Sequence, residues 1–192
     1  AVSGAGDVNA DGTLDFIVGA IWDANSSGSF AGSASVFSGV DGSLIHKLEG
    51  NENDFFGVRV SGVGDVNGDG HADVVVGAVQ WLVTIGKGYA KVFSGADGSV
   101  LYTLTGLAMG DQFGYYVDDV GDMDSDGIGD IAVGAWQADA AGIQSGQAFV
   151  FSGVDGAEIH RFSTQAGDAL GCSVGGAGDV DGDGIPDVIV GA

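Results

Sequence analysis

Four stretches of this chain carry one acidic pattern: DVNADGTLDFIVGA at 7–20, DVNGDGHADVVVGA at 65–78, DMDSDGIGDIAVGA at 122–135 and DVDGDGIPDVIVGA at 179–192. Their first aspartates, Asp7, Asp65, Asp122 and Asp179, stand 58, 57 and 57 residues apart. Two further markers keep the same register. SVFSGVDG (35–42), KVFSGADG (91–98) and FVFSGVDG (149–156) follow the first three stretches, and DFFG (54–57), DQFG (111–114) and DALG (168–171) precede the last three. Three markers in one register define an internal repeat, which restricts the chain to architectures made of stacked supersecondary units. The units run over 1–53, 54–110 and 111–167 with a partial fourth at 168–192, read together as one domain over 1–192.

Turn chemistry divides each unit into four short strands. Strand A leads into the acidic stretch, as VRVSGVG does at 58–64. Strand B leaves it as an unbroken apolar run (Phe16–Val18, Val74–Val76, Ile131–Val133, Val188–Val190), which predicts burial on both faces. Strand C is the VF segment, and SG-x-DG is a tight hairpin into strand D, LIHKLEG or VLYTLTG. With 38 glycines, one proline and no useful helical period, the chain reads as all-β with many tight turns. Four antiparallel strands with both sheet faces covered predict β-propeller blades, three complete and one half. A β-solenoid is the weaker alternative, because hairpin-connected units near 57 residues are long for one coil.

Together these residues, FG, then GD-x-[ND]-x-DG-xx-D, then VGA, then VFSG, closely resemble the FG-GAP repeat of integrin α-subunit propellers and their bacterial relatives. The resemblance covers essentially the whole chain. It departs at Ile21, Val79 and Trp136, where the family commonly has proline after GA, and at Leu170, which replaces phenylalanine in the last FG.

Within each acidic loop, positions 1, 3, 5 and 9 carry oxygen side chains: Asp7, Asn9, Asp11 and Asp15; Asp65, Asn67, Asp69 and Asp73; Asp122, Asp124, Asp126 and Asp130; Asp179, Asp181, Asp183 and Asp187. Glycine at position 6 permits a sharp turn. Position 7 (Thr13, His71, Ile128, Ile185) varies freely, as expected if only its backbone carbonyl serves. Hard oxygen donors on a flexible loop point to Ca²⁺, up to four ions per chain, rather than to zinc or copper. Helix-flanked calcium loops use Glu at position 12, where this chain has Val18, Val76, Val133 and Val190 already inside strand B. Asp-Gly hairpins bonding only their own turns would need one or two acids, not three or four. The family resemblance implies the same calcium role.

Fourteen of the 27 acids lie in these loops, so four ions would bring the net charge of −22 to about −14. Such a polyanion excludes nucleic acid and anionic membrane surfaces as partners. No apolar run is long enough for a membrane helix, and Cys172 has no partner for an intrachain disulfide. Cys172 reads as a buried structural thiol, and His46 and His160 as outer-strand packing positions matched by Tyr102. Asn25-Ser26-Ser27 is a glycosylation sequon in a Gly/Ser-rich loop.

Trp22, Trp81 and Trp136 each follow the glycine of the strand-B Gly-Ala by two to four residues, on B–C loops that differ most between copies. In an up-and-down blade these loops lie opposite the acidic ones, which makes that face the expected ligand face, with aromatic packing between blades as the competing role. The expected function is a non-enzymatic, calcium-stabilised propeller for extracellular recognition or adhesion, binding protein or carbohydrate. The alternative is a propeller of a secreted hydrolase or lyase acting on polysaccharide or lipid. Against it, no Ser/His/Asp set or paired Glu breaks the repeat, since Glu occurs only at 49, 52 and 158. Three and a half units fall short of a ring, so either the chain is part of a longer one or two copies join as a homodimeric ring.

Overall fold

The structure, a computed structural model, describes all residues except 26–27 and 81–85. No helix occurs among the described residues. The first sheet holds β1 (Val2–Gly6), β2 (Asp15–Ala20), β3 (Ser33–Phe37) and β4 (Leu44–Glu49) in sequence order. The second holds β5 (Val60–Gly64), β6 (Asp73–Ala78), β7 (Tyr89–Phe93) and β8 (Val100–Thr105). The third repeats the order with β9 (Tyr116–Gly121), β10 (Asp130–Ala135), β11 (Gln147–Phe151) and β12 (Glu158–Ser163), and a two-stranded sheet of β13 (Ser173–Gly178) and β14 (Asp187–Gly191) follows. All pairings are antiparallel. The A strands β1, β5, β9 and β13 lie against one another in succession, so they line a common axis and the D strands form the rim. These sheets are propeller blades, stacked in an arc that does not close.

Cores form between blades. Ile17, Val36 and Leu48 of the first blade meet Val74, Val76 and Phe93 of the second around Phe56. Val75, Val92 and Leu104 meet Ile131, Val133 and Phe151 around Phe113. Ala132 and Val150 then meet Val174, Val188 and Val190. Strands β6 and β10 are buried at every residue. The unbroken apolar run does not imply two covered faces everywhere, however: Phe16 in β2 is 38% exposed and Ile189 in β14 is 65% exposed. The run is buried twice only where a blade stands on both sides.

The joints are set by glycine. A Cβ on Gly19, Gly77 or Gly134 of strand B would overlap the carbonyl oxygen of Gly57, Gly114 or Gly171 in the next blade's FG segment. Gly57, Gly114 and Gly171 in turn donate their N–H to the carbonyls of Gly77, Gly134 and Gly191, at 3.0, 3.1 and 2.9 Å. Backbone therefore touches backbone on both sides of each FG glycine. Beside it the preceding residue plugs the joint, and Leu170 does so in the same bridge as Phe56 and Phe113, against Gly146 where they meet Gly32 and Gly88. The aspartate three residues before each FG glycine caps the D–A connection, accepting the N–H of Asn51, Ala108 or Gln165.

The matched D-strand positions do more than pack. His46 Nε2 lies 2.6 Å from the Gly95 carbonyl oxygen, and the Tyr102 hydroxyl donates to the Gly153 carbonyl at 2.6 Å. Each ties its blade to the C–D hairpin of the next. Overfilling a close-packed joint costs about 1–3 kcal/mol. Gly77→Ala should therefore lower stability by about that amount in a denaturant melt, whereas Gly4→Ala, with open space at its Cβ, should change it little.

Candidate metal centres and the opposite face

The four acidic loops share one hydrogen-bond scheme. Asp7 Oδ1 and Asn9 Oδ1 both accept the Asp11 N–H at 3.0 Å, Asp7 Oδ2 accepts the Gly12 N–H at 2.8 Å, and Asp11 Oδ1 accepts the Thr13 N–H at 2.9 Å. The same bonds recur on Asp65, Asn67 and Asp69, with His71 at position 7. They recur again on Asp122, Asp124 and Asp126, with Ile128, and on Asp179, Asp181 and Asp183, with Ile185. The turn depends on glycine at position 6, where Gly12, Gly70, Gly127 and Gly184 adopt φ of 88°, 89°, 95° and 93°.

Sharing one N–H draws the side chains of positions 1 and 3 together, and position 5 closes the rim. Ligand oxygens of Asp122, Asp124 and Asp126 lie within 4.8 Å of one another, as do those of Asp179, Asp181 and Asp183. The first two loops differ in having Asn9 and Asn67 at position 3, which supply a neutral oxygen in place of a carboxylate. An all-oxygen, anionic, convergent donor set fits a hard divalent cation, and Ca²⁺ best.

Position 9 stands apart from that rim. Asp15, Asp73 and Asp130 are buried, at 3%, 0% and 0% exposure. One carboxylate oxygen of each accepts the N–H of position 2 (Val8, Val66 or Met123, 2.7–2.9 Å), and the other accepts that of the SG glycine (Gly39, Gly95 or Gly153, 2.8–3.1 Å). These aspartates pin the loop to the C–D hairpin of their own blade, and Asp15 Oδ2 also accepts the Asn9 N–H at 3.4 Å. Asp187 makes only the first bond, to Val180. Burial pushes the Asp73 and Asp130 carboxyls up, against the pull of those N–H groups, and the loop charges Asp69, Asp124 and Asp126 add to the rise. On the exposed rim, the Asn67 amide holds Asp69 below the usual carboxylate range. Successive loops also touch: Ala72 N–H donates to the Asp7 carbonyl at 3.0 Å, and His71 Nδ1 lies 2.8 Å from the Val8 carbonyl.

On the opposite face, Trp22 is 64% exposed. Its ring meets Phe30 and Phe55 edge-on at 5.8 and 5.4 Å, which braces it across the joint to the second blade. Trp136 is half-buried, donates its indole N–H to Gln112 Oε1 at 2.9 Å and lies 5.7 Å from the Tyr115 ring. Trp81 lies outside the described residues, as do Ser26 and Ser27 of the sequon. Cys172 is half-buried rather than buried, as are Val58 and Tyr115 at the same position of the second and third repeats.

One set of residues breaks the repeat without forming a Glu pair or a Ser/His/Asp set. In strand A, the third copy has Asp118-Asp119 where the others have Ser3-Gly4, Ser61-Gly62 and Gly175-Gly176, and Arg59 is matched by Ala1, Tyr116 and Ser173. Aligning strand A across the copies is the signal that finds them.

Comparison with known proteins follows the same pattern. The FG-GAP repeat family matches residues 56–99. Integrin alpha-5 of Xenopus laevis is 30% identical across 97% of this chain, and integrin alpha-IIb of Homo sapiens is 36% identical across 77% of it. The chain belongs to the FG-GAP repeat family. It spans only 19% and 16% of those two integrin subunits. Among solved structures, the rhamnogalacturonan lyase YesW superposes on 99% of the chain with a TM-score of 0.65 at 18% identity. A Bacillus licheniformis rhamnogalacturonan lyase superposes on all of it with a TM-score of 0.63 at 20% identity. The chain covers 40% of each, and at these identities the likeness is one of fold.

In this FG-GAP chain the two roles of the loop aspartates separate by mutation. Asp130→Ala strands two buried N–H groups, each worth about 1–3 kcal/mol, and should lower the melt even in chelator. Asp124→Ala removes one rim oxygen, while Asp122 still accepts the Asp126 N–H. It should leave the metal-free melt nearly unchanged and reduce only the response to calcium.

Proposed function

We propose that this FG-GAP chain is a non-enzymatic, calcium-stabilised recognition module that acts outside the cell or at its surface. It binds a protein or carbohydrate ligand on the face opposite its acidic loops. One observation carries the reading: in the third repeat the oxygens of Asp122, Asp124 and Asp126 converge while the buried Asp130 ties that same loop to its blade, and the first two repeats share its hydrogen-bond scheme. An ion held at the rim is thereby coupled to the inter-blade core. Exposed loops of this kind suit the millimolar calcium of extracellular fluids, with Kd of roughly 10⁻⁴–10⁻³ M. Among the described residues no helix is long and apolar enough to cross a membrane.

At about ten times Kd, each ion adds on the order of 1.4 kcal/mol by mass action, so four independent ions add roughly 5–6 kcal/mol. That is comparable to the stability of a whole domain. The melting temperature should fall markedly on transfer from millimolar calcium to EGTA. An unchanged melt would overturn the proposal.

Protons compete with the ion. The raised carboxyls of Asp73 and Asp130 favour the metal-free fold when protonated, a contribution lost as pH rises through their raised range. Calcium needs the ionised forms. The calcium-induced rise in Tm should therefore shrink as pH falls through the raised range of these carboxyls, and a rise undiminished down to the acid end of the carboxylate range would show that these two aspartates take no part.

A hydrolase or lyase acting on polysaccharide or lipid is the second reading, favoured by the fold shared with the rhamnogalacturonan lyases. Against it, Asp118 and Asp119 are strand neighbours that point to opposite faces, so these two do not form a catalytic pair. Screening polysaccharide and phospholipid hydrolysis or elimination separates the readings.

A further inference from the structure

Each A strand runs from a D–A connection toward an acidic loop, so the first residues of β1, β5 and β9 lie at the axis on the face opposite those loops. A cavity of about 310 Å³ opens there, lined in part by Val2, Ser3, Arg59, Val60, Tyr116 and Asp118. Equivalent strand positions contribute chemically different groups, because the repeat breaks at this spot. The Arg59 guanidinium lies 4.5 Å from the Tyr116 ring centroid and 5.9 Å from that of Tyr115, and its Nη1 donates to the Val58 carbonyl at 3.0 Å. Asp118 Oδ1 accepts the Ser61 hydroxyl at 2.9 Å. Trp136, against Tyr115, extends the aromatic row away from the axis. The Asp118 position is serine or glycine in the other copies, and the position shared by Arg59 and Tyr116 is Ala1 or Ser173 in the first and last, so the blade fold does not require this set.

We propose that this cavity binds a neutral pyranose ring of an oligosaccharide. The proposal rests on the recognition reading above and names the ligand class and the residues. The volume lies at the small end of ligand sites, about 300–1,000 Å³, and suits one ring better than a protein surface. The Arg59 guanidinium already covers the Tyr116 ring, so the pair forms one wall against which a sugar ring packs, while Asp118 and Arg59 offer an acceptor and a planar donor for hydroxyls. Charge decides the rest. A net charge of −22 repels anionic sugars, and a guanidinium in the cavity wall disfavours a cationic ligand.

The test titrates calcium-loaded protein calorimetrically with gluco-, manno-, galacto- and xylo-configured hexasaccharides and with an oligogalacturonate of equal length. The melt with and without calcium is recorded on the same samples. At least one neutral hexasaccharide should bind and the oligogalacturonate should not. Asp118→Asn and Tyr116→Ala should each weaken binding about tenfold or more while the calcium-dependent melt is kept. Should Tyr116→Ala fail to fold, Asp118→Asn and Arg59→Gln make the same comparison. No binding of any neutral hexasaccharide overturns the proposal, as does binding that ignores these substitutions, or a protein ligand that needs Asp118 when no glycan binds. Absent sugar binding with an intact calcium response removes this site alone, whereas a calcium-insensitive melt removes the recognition scaffold beneath it.

Discussion

Everything in this arc depends on how closely one blade can approach the next. At each complete joint an FG glycine lies between two B strands, giving its N–H to one and pressing its carbonyl on a glycine of the other. No side chain fits at that contact. Because the approach is backbone on backbone, the spacing is the same at each joint whatever the plug, and Leu170 replaces phenylalanine without changing the bridge. Constant spacing brings the apolar faces of adjacent sheets into register and stacks the acidic loops along one edge.

The loops then impose an opposite demand. Fourteen acids crowd one face of the arc, and their repulsion works against the stacking that glycine permits. The protein divides the load by position. The buried aspartate at position 9 is satisfied by two backbone N–H groups and serves as a structural pin in the first three blades. The rim carboxylates are left in solvent, where the proposed cation would offset them. Calcium on this account strengthens an already folded blade instead of creating it, and the opposite face remains free to diverge. There the second and third repeats depart from the common pattern, at Arg59 and at Tyr116 and Asp118.

Much of this was legible in the sequence because the repeat tests itself. A mark that recurs at 57-residue spacing must serve one structural role, so strand order, turns and the acidic loops could be read off together. What was not legible depended on contacts between repeats. The FG and GA glycines look like separate turn residues in the chain, and only their apposition explains why neither tolerates a Cβ. His46 and Tyr102 were visible as matched positions, but their bonds to Gly95 and Gly153 are carbonyl contacts no sequence pattern encodes. Asp15, Asp73 and Asp130 read as ligands equal to the rest, although burial gives them a second task. Asp118 and Asp119 were overlooked because aspartates attract no notice in so acidic a chain.

The central claim is that the rims hold calcium, and a direct count of bound ions tests it best. Metal-free protein dialysed to equilibrium against millimolar calcium should retain up to four ions per chain, and Asp122→Ala combined with Asp124→Ala should reduce the count by one. Retention of no calcium at several millimolar, or a count untouched by that double substitution, would contradict the account.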